Sequence, residues 1–525
     1  MFNVEKQSQI TDTLRLFYTK QNSLPNWCSA ILVAWLDRAN TIIYLLPFLC
    51  AYLIFASVFF CVAYANSDLH FDVLETWNVG RSFNWGFWKH PPLMGWIAHI
   101  WSTVFPQTTW SFRWLAMANS TVGLFFVDQI VRRFAPNNRR LIVLILLLLT
   151  PVYDFHAEKF NANAVLLATW PAATYCFLRS FEERSNPIWS IATGALSTLA
   201  MLGKYYSIFL IVGFIVASLL HPERRRYLLS YRPWLAVLIG CLTIAPHILW
   251  LVRTGFSPFQ YALTEHTGRG LNVSLWNAVL FWLTNLGYLV LPAIAWQLIR
   301  PGRTAFWTDL RSLESGLLLI AIIFLTGILL PPLIVCLIGS DLPAAWHLQA
   351  LFMPVVVVVC SYKGNVAPRE YIRFIRNFSC LALFALAMAP IHALYRNYHP
   401  LPRGRQFYHR AADRVSAIWQ QNNMGRLAYV TGDDGLAFGM AFYGKEHPIY
   451  EHDIIPTENR KSLSTGGLAV LCFSDDASCV ARLNDEHARY QNAKTQSFMV
   501  GSSLWGLKGS TKRVTVLMIP LSNSP

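Results

Sequence analysis

The chain has 525 residues, 54% of them hydrophobic and only 14% charged, with a net charge of +15 and a mean hydropathy of +0.36. Soluble domains carry about 25% charged residues, so this composition excludes the string of soluble domains that the length alone would allow. The apolar residues are concentrated between Thr41 and Tyr395, in blocks longer than a globular core helix requires. The pattern is that of a polytopic membrane protein.

Residues 1–40 read as a cytoplasmic N-terminal segment. Polar residues run through its first 23 positions without an early apolar stretch, which argues against a cleavable signal peptide. Leu24–Trp35 has the pattern of an amphipathic helix lying on the membrane surface. A transmembrane domain is expected from 41 to 395. A crossing helix needs about 20 apolar residues. By that ruler spans are expected near Ile42–Ala65, Ser111–Val131, Leu141–Phe155, Ala164–Leu178, Pro187–Gly203, Tyr205–Leu220, Trp234–Val252, Leu275–Ile299, Ser315–Ile338, Ala345–Cys360 and Phe378–Tyr395, about eleven in all. Leu93–Phe105 is apolar but too short to cross and reads as a re-entrant or interfacial helix.

Arginine and lysine alternate between the loops. Arg132, Arg133, Arg139 and Arg140 share one loop, Arg179 and Arg184 another. The same side collects Arg224, Arg225, Arg226 and Arg232, then Arg300, Arg303 and Arg311, then Lys363, Arg369, Arg373 and Arg376. Positive loops stay in the cytoplasm. That puts the N-terminus inside and the loops at Asn66–Pro92, His156–Asn163, Arg253–Ser274 and Gly339–Trp346 outside. The positive charge is thus largely a matter of topology and requires no nucleic acid.

From about residue 396 the hydrophobicity comes in short runs, Leu427–Thr431, Leu468–Phe473 and Arg513–Ile519, parted by Gly, Asp and Asn. These predict strands of a small α/β domain, 396–525, which after an odd number of spans faces the periplasm. Eight of the ten cysteines precede it; Cys472 and Cys479 lie within it, seven residues apart, where a disulfide is compatible with an oxidising compartment. No internal repeat, P-loop, dinucleotide fingerprint or metal-spacing cluster is present, which argues against an ATP-driven pump.

The polar residues of the outer loops are the candidates for chemistry. Asp68, Asp72 and Glu75 follow closely on the first span, and Asp72 and Glu75 share a face if the stretch is helical. Lys89 and His90 precede Pro91-Pro92, which stiffen the chain as it enters the short apolar helix. The second outer loop, Asp154–Asn163, holds Glu158 and Lys159 close to membrane depth, where the two could pair with each other. Lys204, between two apolar runs near the outer boundary, either snorkels or meets an anion. His247, Glu265, His266, Arg269 and His347 complete the outer inventory.

Carboxylates beside cations at the mouth of a lipid-embedded bundle suit transfer chemistry. A carboxylate deprotonates an acceptor hydroxyl or amine, and cations stabilise a departing phosphate. A transporter or flippase of lipid-linked sugars is the alternative, and a membrane scaffold a third. Transport calls for titratable groups at mid-span, whereas these acids cluster in loops.

Three features carry a resemblance to a known family: an acid just after the first span, His90-Pro-Pro-Leu93 with Trp96 three residues on, and the Gly203-Lys-Tyr205 junction. Arg113-Trp-Leu115 adds to it. The chain resembles the polyprenyl-phosphate-sugar-dependent glycosyltransferases of the C-type membrane fold. The relevant branch holds glycosyltransferase family 39, the protein O-mannosyltransferases, the lipid A aminoarabinose transferase and the rhizobial core-sugar transferases. The likeness covers about Ala51–Tyr395. It implies inverting transfer from an undecaprenyl- or dolichyl-phosphate-linked sugar to an envelope glycolipid, glycan or protein, at the periplasmic face of a bacterial inner membrane. By position it makes Asp68 the essential first-loop carboxylate, Lys204 a basic residue close to the donor phosphate and His90 the residue before the double proline; Lys89 and His90 join Lys204 as candidate contacts of that phosphate. The second acid of the family comes here from Asp72, Glu75 or Glu158 or is absent, with Glu158 the catalytic candidate beside Asp68; Asp72, Glu75, Lys159, Arg269 and His347 are further candidate substrate contacts. Many relatives have two adjacent acids where this chain has Asp68-Leu69, and an Asp near the fourth span where this chain offers Asn161 and Asn163. No metal ligand is assigned, since metal dependence varies across the fold.

Overall fold

The computed structural model describes residues 45–135, 137–183, 185–300, 306–451, 466–490 and 492–520. The expected surface helix at Leu24–Trp35, the rest of residues 1–40, Arg184 and Arg303 lie outside them.

Among the described residues, six helices are long and apolar enough to cross a membrane: Leu46–Ala63, Thr109–Val131, Tyr231–Arg253, Leu271–Ile299, Ser315–Ile338 and Pro368–Tyr398. The remaining expected spans contain shorter helices: Asn137–Leu148, Leu166–Glu182, Ile188–Gly203, Ile208–Leu220 and Phe352–Ser361. Local chemistry explains the shortening. The helix from Asn137 stops before Thr150-Pro151, where proline removes a backbone donor, and a π-helical turn at Val152–His156 follows. The 345–360 stretch opens with two 3-10 turns, Ala344–Trp346 and Leu348–Ala350, before its helix begins.

Packing divides the chain into two units that interleave in sequence. Among the described residues, the first comprises 45–55, 118–157 and 165–382, and the second 56–117, 158–164 and 383–520.

In the first unit small residues let helices approach. A methyl group at Gly194 would lie 2.2 Å from the carbonyl oxygen of Ala236 in the Tyr231–Arg253 helix, so only glycine fits. Thr198 Oγ1 donates to the Gly240 carbonyl of that helix at 3.0 Å. Several arginines of the positive loops also serve the fold. Arg232 Nη1 donates to the carbonyls of Ser180 and Phe181 at 2.9 Å each, satisfying the C-terminal end of the Leu166–Glu182 helix. Arg140 grips both oxygens of Asp128, at 2.7 and 2.6 Å, in an ion pair that is 1% exposed on either side.

The second unit holds the first outer loop and the C-terminal α/β domain. Its five-stranded sheet has the order β2-β1-β3-β5-β4, formed by β1 (Leu427–Gly432), β2 (Ile449–Tyr450), β3 (Gly467–Phe473), β4 (Lys494–Leu504) and β5 (Leu507–Ile519). β1 pairs parallel with β2 and β3, whereas β5 runs antiparallel to β3 and β4. All seven residues of β3 are buried, as the continuous apolar run of a central strand requires. The Ala477–Arg489 helix is capped by Asp476, whose carboxylate accepts the N–H groups of Ser478 and Cys479. It packs Cys479 and Leu483 on Leu468, Val470, Leu517 and Ile519. Cys472 and Cys479 are joined by a disulfide.

Candidate active site

The site grows out of the turn that follows the first helix. His70 caps the Phe71–Val79 helix, its Nδ1 accepting the Asp72 N–H at 3.3 Å. The stretch is helical, so Asp72 and Glu75 share a face, with Thr76 beside them. Asp72 Oδ2 accepts from Asn161 Nδ2 at 2.7 Å, and Thr76 Oγ1 donates to the Phe160 carbonyl at 3.2 Å. These bonds seat residues 158–164 against the first loop. Glu75 is 6% exposed and accepts from Lys89 Nζ at 2.9 Å; burial outweighs that lysine and pushes its carboxyl up to about 7. Burial likewise raises Asp72, against the opposing Asn161 bond and the charges of Lys89, Lys159 and Arg403. His90 closes a turn, its carbonyl accepting the Phe87 N–H at 3.0 Å, immediately before the prolines that lead into the Leu93–Val104 helix.

Asp68 is held from the C-terminal part of the chain. Its Oδ2 accepts the His409 N–H at 2.9 Å; its own N–H donates to the Arg405 carbonyl at 3.0 Å; its carbonyl accepts Arg405 Nε at 2.7 Å. Both Nη atoms of Arg405 bind Glu158, one to each oxygen, and its guanidinium lies 4.7 Å from the Tyr64 ring. Left-handed backbone at Arg403 and Gly404 (φ 60° and 68°) turns the chain so that Arg405 enters this position. Any side chain at Gly404 would strike the Phe473 ring, at 2.6 Å. Nearby, Arg113 Nη2 donates to the carbonyls of Tyr64 at 3.0 Å and Ser67 at 2.7 Å, and the Tyr443 hydroxyl accepts the Leu69 N–H at 3.1 Å. Burial raises the Asp68 carboxyl, opposed first by the His409 N–H and then by the charges of His409, Arg405 and Arg113. Asp68, Arg113, Gln406, His409, Arg410 and Ser503 line a cavity of about 390 Å³. A half-buried carboxylate with elevated proton affinity, fixed by a backbone donor and facing a cavity, can accept a proton from a bound hydroxyl or amine.

This geometry changes one reading of Glu158. Its partner is Arg405 rather than the adjacent Lys159. Both its oxygens are taken by that guanidinium and only 2% of the side chain is exposed, so it clamps Arg405. Lys159 is half-buried, and its charge acts on His70 and Asp72.

The other candidates belong to the first unit. Lys204 stands at the break between the Ile188–Gly203 helix and a 3-10 turn, Tyr205–Ser207, with Nζ 4.2 Å from the centre of the Trp346 ring. Beside it the Tyr205 hydroxyl lies 3.0 Å from His247 Nε2. Arg269 Nη2 donates to Asp341 at 2.9 Å, which also accepts from Asn277 at 3.2 Å. His347 is wholly buried among Trp170, Phe281 and Phe324, with Nδ1 3.3 Å from the Tyr206 hydroxyl, the surroundings of a packing residue. Arg405, His409 and Tyr443 escaped the sequence reading; the Pro402-Arg-Gly404 turn is the one local sign that the chain presents something there.

The profile of the dolichyl-phosphate-mannose-protein mannosyltransferase family matches residues 89–250. That stretch includes His90-Pro-Pro-Leu93, Arg113-Trp-Leu115 and Gly203-Lys-Tyr205 and begins after Asp68. None of the curated proteins matches the chain. Among solved structures it is similar to the crystal structure of ArnT from Cupriavidus metallidurans bound to undecaprenyl phosphate. Identity is 13%, coverage is 90% of this chain and 98% of that one, and the TM-score is 0.59. The apo state of the same protein aligns at 12% identity over 88% of this chain and 97% of that one, with a TM-score of 0.55. In architecture the chain is a largely helical, polytopic membrane protein with a small C-terminal sheet domain, and its fold is similar to that of ArnT.

Proposed function

We propose that the protein transfers a sugar from a polyprenyl-phosphate-linked donor to an acceptor of the bacterial envelope, at the periplasmic face of the inner membrane, with Asp68 as general base. The observation that carries this reading is the Asp68 carboxylate, oriented by the His409 N–H and facing the cavity. Asp68 removes the proton of the acceptor hydroxyl or amine as that atom bonds to the anomeric carbon. The bond from that carbon to the phosphate oxygen breaks, the configuration inverts, and the electron pair leaves on the polyprenyl phosphate. Lys204, Lys89 or His90 provides the positive charge that stabilises the departing phosphate. The family profile over residues 89–250 and the likeness of fold to ArnT support this chemistry. Membership of family 39 itself and about eleven crossings are parts of the same proposal. Transport of lipid-linked sugars is the weaker reading, because the acids gathered by Arg405 lie in loops, and Asp128, within a long apolar helix, is locked by Arg140.

The test is mass spectrometry of envelope glycolipids, glycans and proteins with and without the gene, and with Asp68→Asn. The variant keeps the shape of the side chain and removes its charge, so it should fold normally and lose at least about 10²-fold in turnover. Near-normal transfer by folded Asp68→Asn protein would refute the assignment.

A further inference from the structure

We propose that the tip of the β4–β5 hairpin is a membrane anchor, seated at the headgroup level of the bilayer that the Pro368–Tyr398 helix crosses. The proposal is independent of the sugar-transfer reading.

Three observations meet at this point. The first is position. The hairpin is fastened to the last turn of that helix through Asn397, which is fully buried. Ser502 Oγ donates to the Asn397 carbonyl at 2.8 Å, Ser510 Oγ donates to the same carbonyl at 3.2 Å, and Asn397 Nδ2 donates to the Leu507 carbonyl at 3.3 Å. Tyr395 and Tyr398, about half exposed, flank Asn397 at the end of the apolar stretch, where an aromatic belt marks the edge of the hydrocarbon. Whatever sits at the hairpin tip therefore sits at that level.

The second observation is composition. The two-residue turn is Trp505-Gly506, between Leu504 and Leu507, with Lys508 following. Trp505 is 65% exposed and Leu507 48%, and Lys508 is exposed beside them. An amphipathic indole, an aliphatic side chain and a lysine that can reach phosphate form the set that partitions to a membrane interface.

The third is backbone cost. Trp505 and Gly506 both adopt left-handed conformations, φ 50° and 83°. Two-residue turns of this kind favour Asn-Gly or Asp-Gly, because a bulky residue with positive φ is strained. A tryptophan in the strained position with its ring in the open gains nothing from the protein's own core. Contact with lipid supplies the compensation.

The experiment uses the full-length protein in lipid nanodiscs. The cysteines other than Cys472 and Cys479 are replaced, and a nitroxide is attached at Trp505→Cys and, as a water-facing reference, at Asp475→Cys, an exposed site of the same domain. Power saturation then compares collision with oxygen, which concentrates in lipid, and with a water-soluble nickel chelate. The expected result is an oxygen-to-nickel collision ratio several-fold higher at 505 than at 475. Equal ratios, or protection of 505 from both reagents as in a protein contact, would overturn the proposal. A second measurement avoids the labelled variant: bromolipid quenching of tryptophan fluorescence should fall between wild type and Trp505→Phe, and no difference in the quenched fraction would equally overturn it.

Discussion

Replacing Arg405 by Met should destabilise the protein far more than replacing Arg405 and Glu158 together. The two side chains are 6% and 2% exposed and meet through paired N–H···O contacts. Removing one partner of a buried ion pair leaves an uncompensated charge and costs about 3–5 kcal/mol. Arg405→Met with Glu158→Gln leaves no orphan charge, and its loss reduces mainly to the bond from Arg405 Nε to the Asp68 carbonyl, about 1–2 kcal/mol. The coupling between the two positions should therefore be at least about 2 kcal/mol, measured as a double-mutant cycle by reversible unfolding in mixed micelles. Turnover should behave differently. The double variant regains stability but still lacks the bond that holds the Asp68 segment, so its kcat should stay at least about tenfold low, as displacement of a reacting group predicts. Additive stability losses would refute the buried-pair argument. Wild-type kcat in the double variant would show that Arg405 does not position Asp68.

Further outcomes follow from single groups. Lys204→Met should raise the apparent donor KM and lower kcat together, and Lys204→Arg should keep part of the activity, if the ammonium binds donor phosphate; unchanged donor dependence in the Met variant would move the phosphate contact to Lys89, His90 or Arg269. Glu75 has a carboxyl raised from the ordinary 4.5 to about 7 by burial, so the folded protein holds its proton more tightly than the unfolded chain does. Its contribution to stability is complete below about 4.5, declines as pH rises toward 7 and levels above it; Glu75→Gln should flatten that decline, and parallel melting curves for the two proteins across this range would refute it. Replacing Cys472 and Cys479 by Ser opens a short loop and should cost about 2.5 kcal/mol, read as the gap between non-reduced wild type and variant; identical unfolding of the two would mean that the bridge adds no stability. Labelling of single cysteines with an impermeant reagent in intact cells should reach position 475 and not position 225, and the reverse pattern would invert the topology.

Much of this protein follows from short-range pattern. Apolar runs long enough to cross a bilayer set the helices, because an unpaired backbone in hydrocarbon is too costly for any other form. The alternation of arginine-rich loops implied an orientation on the same local terms. The buried run of β3 was legible as a strand, since it is defined within about ten residues. Asp68 stood out because an acid directly after a span is unusual wherever the chain folds.

What the tertiary structure alone decided are the partners. Glu158 looked like a neighbour for Lys159, but its charge is answered by Arg405, 247 residues away. Asp68 is oriented by a backbone N–H 341 residues distant, in a segment whose composition signals only a turn. His347 and Lys204 are both polar residues beside apolar runs; packing made one a core residue among aromatic rings and set the other against Trp346. Periodicity shows which face of a helix is buried, but it holds no information on which distant residue fills the space opposite. Buried charges and polar atoms must be satisfied wherever the fold brings them, so the identity of each partner emerges only when the loops and the C-terminal domain meet.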